Sequence, residues 1–175
     1  GGAGLGLGLK ESGDLDVARN LFLRNSVGLF IDTSPLQIGN HNRFTENVFR
    51  LGGLGVEFHS SPHRTHFVRN SFRDNAAQLR VDGRGNALGI EWRENHFDDY
   101  QGYDLDGDGF GDLPYELRSL SNRLIAQRPE IQFFRGTLAL DLVDVASEVS
   151  PLLAPSAVMR DERPRMGPPE ISRAD

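Results

Sequence analysis

The pair Asn-x-Phe occurs at Asn20 and Phe22, Asn47 and Phe49, Asn70 and Phe72, and Asn95 and Phe97, with steps of 27, 23 and 25 residues from one Asn to the next. A unit of that length cannot bury its own apolar face, so units of this kind must stack on one another. The recurrence therefore constrains the first hundred residues to a solenoid.

Each repeat has an internal phase. Three residues before the Asn stand Val17, Phe44, Phe67 and Trp92, and two after it the phenylalanines, all apolar. Five after it come Asn25, Gly52 and Asn75, residue types that tolerate a left-handed backbone and so predict a corner. Next come Leu29 with Ile31, Val56 with Phe58, and Leu79 with Val81, alternating with Phe30, Glu57 and Arg80. That alternation predicts a short strand with one buried face.

Strands joined by tight corners and stacked at about 4.8 Å make an all-β parallel β-helix of about four coils. Its interior would hold an aromatic column, and its asparagine amides would bond from coil to coil. A leucine-rich repeat also uses a buried Asn ladder, but it requires a denser leucine signature than this chain has. Extra residues at Thr33 to Asn42 and Asp82 to Gly89 fall where loops belong. The run Gly4 to Leu9 has the phase of a second strand whose own Asn would precede residue 1, so the chain reads as the tail of a longer solenoid.

The net charge of −6 has the wrong sign for gripping nucleic acid. With no cysteine, the chain excludes disulfides, zinc–thiolate centres and a cysteine nucleophile. No apolar run reaches the length of a membrane span, and the first residues lack the charge and apolar order of a secretion signal.

The repeat ends after Phe97. In the segment over 101–116, Asp104, Asp106 and Asp108 take the first, third and fifth positions of a calcium loop. Gly109 takes the sixth, Phe110 offers a carbonyl at the seventh and Asp112 stands at the ninth. The twelfth position, where a bidentate Glu is wanted, holds Tyr115. The segment is either a calcium site or an Asp-Gly turn cluster whose carboxylates bond their own backbone amides. Either way it plugs the open end of the solenoid.

Past Pro114 the apolar period changes to that of helices. Over 117–150 the pattern predicts two short helices, the first capped by Ser119 and the second by Thr137, with Leu138, Leu142, Val145 and Val149 on one face of the second. Over 151–175, prolines and mixed charge predict an extended, flexible tail.

Three histidines are close in sequence: His59, His63 and His66, with His59 and His66 facing outward by phase. They are candidate ligands for a borderline or soft metal such as copper, the plain alternative being three exposed loop histidines. His41 would lie one coil below. His96 points outward alone, and Met159 and Met166 lie in the tail. Glu57 and Asp82 are candidate carboxylates for sugar cleavage, which needs an acid and a base on one face, but they are poorly spaced for a pair.

The Asn-x-Phe coils run into Trp92-Arg-Glu-Asn95-His-Phe97-Asp-Asp-Tyr100-Gln-Gly-Tyr103-Asp104-Leu-Asp106-Gly-Asp108-Gly-Phe-Gly-Asp112-Leu-Pro114-Tyr115. Together with Pro129-Glu-Ile-Gln-Phe-Phe, this resembles the end of the NosD family, periplasmic accessory proteins of nitrous oxide reductase maturation. The resemblance implies a right-handed parallel β-helix without turnover of its own. It also implies a role beside the membrane subunit and ATPase of an ABC transporter, a copper donor lipoprotein and nitrous oxide reductase, in building a copper-sulfide centre. It supplies no copper motif that maps residue by residue. The alternative is a carbohydrate-binding or polysaccharide-cleaving β-helix, which the fold also permits.

Overall fold

The computed structural model describes residues 4–59, 62–82, 85–119, 138–139, 142–143 and 155–169. Within them the repeat becomes three parallel sheets, each of four strands and each taking one strand from every coil. The first sheet holds β1 (Leu5–Lys10), β4 (Val27–Asp32), β7 (Leu54–His59) and β10 (Ala77–Asp82). The second holds β2 (Leu15–Ala18), β5 (Asn42–Thr45), β8 (Thr65–Val68) and β11 (Glu91–Arg93). The third holds β3 (Leu21–Leu23), β6 (Val48–Arg50), β9 (Ser71–Arg73) and β12 (His96–Phe97).

The register puts equivalent residues above one another. Phe22, Phe49, Phe72 and Phe97 are mutual strand partners. Their rings stack at centroid separations of 4.7, 4.9 and 5.0 Å with planes within 7° of parallel. Tyr115 extends that stack past the last coil, 3.9 Å from Phe97. A second column runs Phe44, Phe67, Trp92, at 4.7 and 4.4 Å. Coil spacing and ring thickness are similar enough that parallel strands impose stacked rings, an arrangement aromatic quadrupoles accept when offset.

The asparagine ladder runs beside these columns. Asn20, Asn47 and Asn70 each donate both the backbone N–H and the side-chain amide to the Oδ1 of the next Asn, at 2.9–3.1 Å. The amides of Asn47, Asn70 and Asn95 also donate to the carbonyls of Val17, Phe44 and Phe67. Asn47, Asn70 and Asn95 are fully buried, so these bonds satisfy groups that water cannot reach.

The corners differ in detail from the sequence expectation. The left-handed non-glycine residues include Arg24, Leu51 and Asp74, with φ of 56°, 56° and 55°, Arg19, Glu46, Arg69 and Glu94, each one before a ladder Asn, and Glu11, Asp14, Thr33 and Arg64 around the first corner. Asn25, Gly52 and Asn75 are not the left-handed positions. At that phase Asn75 brackets coils instead, with Oδ1 accepting from Gly52 N and Nδ2 donating to the Phe49 carbonyl. Each non-glycine residue in the left-handed region costs about 1–2 kcal/mol, which the flanking coil-to-coil bonds offset.

The C-terminal part adds what the sequence pattern did not announce. Tyr115–Ser119 is a strand, β13, and it pairs antiparallel with β14 (Ser156–Asp161). Residues 155–169, expected to be part of a flexible tail, cover the last coil: Val158, Met159 and Asp161 are buried, and Met159 joins the core. Strand pairing with β13 and the open rung above Asn95 hold this segment. The helix expected after Ser119 lies outside the described residues. Of the second, 138–139 and 142–143 are described, helical in backbone, with Leu138 and Leu142 exposed.

Candidate functional site

The coils project polar rows outward, because every second residue of a half-buried strand faces solvent. On the second sheet, Asp16, Arg43, His66 and Glu91 are successive strand partners in one such row. Thr65 and Phe67 point inward, which turns His66 out between them. His66 Nδ1 lies 2.7 Å from Glu91 Oε2. A carboxylate accepts only, so Nδ1 carries the proton, and in the neutral ring the Nε2 lone pair is free on the opposite side. His41 meets that side: its Nδ1 is 3.4 Å from His66 Nε2, with ring centroids 5.6 Å apart. His41 is itself anchored by its backbone N–H, which donates to Asp14 Oδ1.

A carboxylate behind an imidazole is the arrangement that orients metal-binding histidines and raises their basicity. A tetrahedral ion with metal–nitrogen bonds of about 2.0–2.1 Å separates two of its nitrogens by about 3.3 Å. The His41–His66 spacing matches that separation. The residues present therefore fit two nitrogen ligands of a borderline ion, with Glu91 as support.

The three histidines of the sequence reading do not share one place. His59 ends β7, with Nδ1 3.6 Å from Asp32 Oδ1. His59 and His63 line a small hollow with Thr33, Ser34, Pro35 and Leu36, on the first corner loop. His66 belongs to the second sheet and pairs with His41. Among the described residues, the only three His or acidic side chains whose ligand atoms gather within 4.8 Å are Asp104, Asp106 and Asp108.

That acidic loop is tightly wound on itself. Asp104 accepts from the N–H groups of Gly107, Asp108 and Gly109, and Asp106 Oδ1 accepts from Asp108 N. Asp108 Oδ1 accepts from Phe110 N, and Asp112 Oδ2 from Leu105 N. Gly107 and Gly109 sit at φ of 76° and 86°, as these turns require. Arg163, from the returning chain, donates to Asp108 Oδ2 at 2.8 Å and stacks 3.7 Å over the Phe110 ring. The Asp108 carboxyl is held below its usual range, first by that hydrogen bond from Arg163.

Beneath the loop, Tyr115 donates its hydroxyl proton to Asp99 Oδ2 at 3.1 Å. Burial raises the Asp99 carboxyl above its ordinary value, opposed by that hydrogen bond. Burial, and then the Asp99 charge, push the Tyr115 hydroxyl far up, so it remains a donor. Glu57, a candidate for sugar cleavage, is held by Arg80 at 2.7 Å, and Asp82 lies in the neighbouring row with Asp32 and His59.

Glu91 and Arg163 did not stand out in the sequence. Counting back from each ladder Asn reveals Glu91, which is four before Asn95 as His66 is four before Asn70. No repeat phase reaches Arg163.

Fold and surface together define a parallel β-solenoid with an amide ladder, capped by its own returning chain. The family model described as "Periplasmic copper-binding protein (NosD)" matches residues 1–102, and the chain belongs to that family. It is 29% identical over 129 residues to the "Probable ABC transporter binding protein NosD" of Pseudomonas aeruginosa, covering 73% of this chain and 30% of that protein. To the protein of the same description from Stutzerimonas stutzeri it is 25% identical over 126 residues, covering 71% of this chain and 29% of that one. The chain thus spans under a third of the length of these relatives.

Proposed function

We propose that this chain is the coil-and-cap portion of a non-enzymatic periplasmic accessory protein. In this reading it acts with the membrane subunit and ATPase of an ABC transporter, and with a copper donor lipoprotein, in assembling the copper-sulfide centre of nitrous oxide reductase. The observation that carries the reading is the family match across the coils, whose family is described as copper-binding. The His41–His66 pair, oriented by Glu91, supports a place for copper there. Copper is cargo in this reading, and imidazole nitrogens suit it in either common oxidation state. Remaining coordination positions are left to solvent or a partner, as transfer between proteins demands.

Competition between the full chain and a chromophoric copper(I) chelator tests the site. His66→Ala and His41→Ala should each weaken retention at least tenfold, and Glu91→Gln by about 10-fold or more through loss of ring orientation. Equal retention by wild type and both histidine variants would overturn the copper assignment. Co-purification with the transporter subunits tests the partner assignment separately.

The acidic loop is proposed as a calcium site, supported by the approach of Asp104, Asp106 and Asp108. Its role would be to stiffen the cap.

A further inference from the structure

His41 ends the inserted loop over 33–41, between β4 and β5, whereas His66 stands inside a strand. A ligand on such a loop is normally the loose half of a pair. Here the two peptide units that flank His41 are tied to the coils on either side. The Asn40–His41 peptide is held at both ends: its carbonyl accepts from Arg64 Nε at 3.2 Å, and its N–H donates to Asp14 Oδ1 at 3.0 Å. The next N–H, that of Asn42, donates to the Arg64 carbonyl at 3.0 Å. With both planes held, the φ and ψ of His41 are held as well, since a residue has no other soft backbone torsions. Leu15, Asn42 and Thr65 are strand partners, so Asp14, His41 and Arg64, each one residue earlier, share one phase in three successive coils.

Arg64 reaches further into the loop. Its Nη2 donates to the carbonyls of Pro35 and Gln37, at 3.3 and 3.2 Å. Gln37 O also accepts from Asn40 N, at 3.3 Å. One guanidinium thus gathers carbonyls from both halves of the insertion. Arg43, Arg50, Arg69 and Arg80, on the outer faces of the coils, meet carboxylates instead. Arg64 immediately precedes β8 and is two residues before His66, with Thr65 buried between them. The group that gathers the loop and the second histidine are therefore carried by one short segment.

We infer that Arg64 is a positioning residue for the histidine pair: its guanidinium and carbonyl hold the loop peptide so that His41 faces His66 before any ion arrives. The inference rests on the copper reading above for the identity of the ion, while the pairing of the rings is a property of the chain alone. Two ligands already in place lose less freedom on binding than one of them on a free loop would, and the difference appears as affinity. Charge works the other way. A guanidinium repels a cation, so by charge alone its removal would strengthen retention of the ion. Weakened retention on replacing Arg64 is therefore the mark of positioning.

Two measurements on the full chain test this. In the metal-free chain, NMR cross-relaxation between the His41 and His66 ring protons reads the contact, whose centroids are 5.6 Å apart. Competition with a chromophoric copper(I) chelator reads its consequence. Arg64→Gln should erase the ring contact and weaken copper retention about tenfold. Arg64→Lys, which keeps the charge but not the fork, should lose most of both. Arg43→Gln, removing a guanidinium from the strand partner of His66, should keep the contact and not weaken retention. In a His41→Ala background Arg64→Gln should cost nothing further, because the side chain it positions is gone. An intact ring contact in the folded Arg64→Gln chain, or in Arg64→Lys should that chain not fold, would overturn the positioning role. So would retention that Arg64→Gln leaves unchanged while His41→Ala weakens it, or a loss that persists in full without His41. Retention indifferent to both His41→Ala and His66→Ala would sink the copper reading and leave the ring contact to decide the role of Arg64.

Discussion

Asp161 accepts hydrogen bonds from both the backbone N–H and the side-chain amide of Asn95, at 3.0 and 2.8 Å, across 66 residues of sequence. Its carboxylate stands where the next asparagine oxygen would stand in another coil, and it is completely buried. The returning chain therefore closes the solenoid by reproducing the chemistry of the repeat.

Replacing that carboxylate tests the closure. Asp161→Ala leaves two buried donors unanswered and should cost on the order of 3 kcal/mol. Asp161→Asn keeps an acceptor for Asn95 but puts an N–H₂ toward Arg163 N, which donates to Asp161 Oδ1 in the wild type, so its loss should be smaller. Urea unfolding of both variants measures the difference, and equal losses would show that the ladder bond carries little.

The same residue predicts a pH effect. Burial raises the Asp161 pKa above the ordinary 3.8, despite lowering contributions from hydrogen bonds with Asn95 and Arg163. Between about 3.8 and its folded value, the native state holds a proton that the unfolded chain has released. Stability from this group is therefore greatest at the acid side of that window and declines as pH rises through it. Asp161→Asn should flatten the profile there, read as unfolding midpoints measured from about pH 4 to 7.

His96 acts with the opposite sign. With its folded pKa lowered below 6.5, first by burial, the unfolded chain takes up a proton before the native state does. Stability is lost as pH falls below 6.5 toward the folded value, and His96→Gln should remove that part of the acid sensitivity. The measurement is the same titration of unfolding midpoints, in chloride buffers.

In the aromatic column, Phe72→Ala empties a fully buried ring site between Phe49 and Phe97 and should cost about 3–5 kcal/mol. Arg43→Ala, on the solvated face, should change stability by about 0.5 kcal/mol or less. Similar losses for the two would mean that the stack is not the core.

For the acidic loop, millimolar calcium should raise the melting temperature by mass action, and chelator should reverse it. Asp106→Asn should abolish the response while sparing the fold, because Asp106 makes a single local bond, to Asp108 N, among those that hold the loop. A melting temperature indifferent to calcium leaves the turn-cluster reading.

Much of this architecture was legible because periodicity survives translation into geometry. The Asn-x-Phe spacing directly implies the ladder and the stack, since parallel strands superpose equal phases. The corners were less legible. Left-handed backbone falls on Arg, Glu, Leu, Thr and Asp here, imposed by bonds from the neighbouring coil and not by local preference. Nor could phase alone show that His66 parts from His59 and His63 to join His41, because two sheets and an inserted loop separate them. The cap was least legible. A strand such as Ser156–Asp161 is stabilised by a rung and a partner strand far away in the chain, and local composition around the prolines suggests none of it.

The ladder has a direction. Every ladder asparagine gives its backbone N–H and an amide hydrogen to the oxygen of the next rung on the C-terminal side, and from Asn47 onward the amide also donates to a carbonyl of the preceding coil, so a whole coil could be duplicated or deleted between Asn20 and Asn95 with each donor still finding an oxygen. A carboxylate has no hydrogen to hand on at neutral pH. Evolution can therefore lengthen or shorten this rod from within, while Asp161 forbids end-to-end growth beyond it.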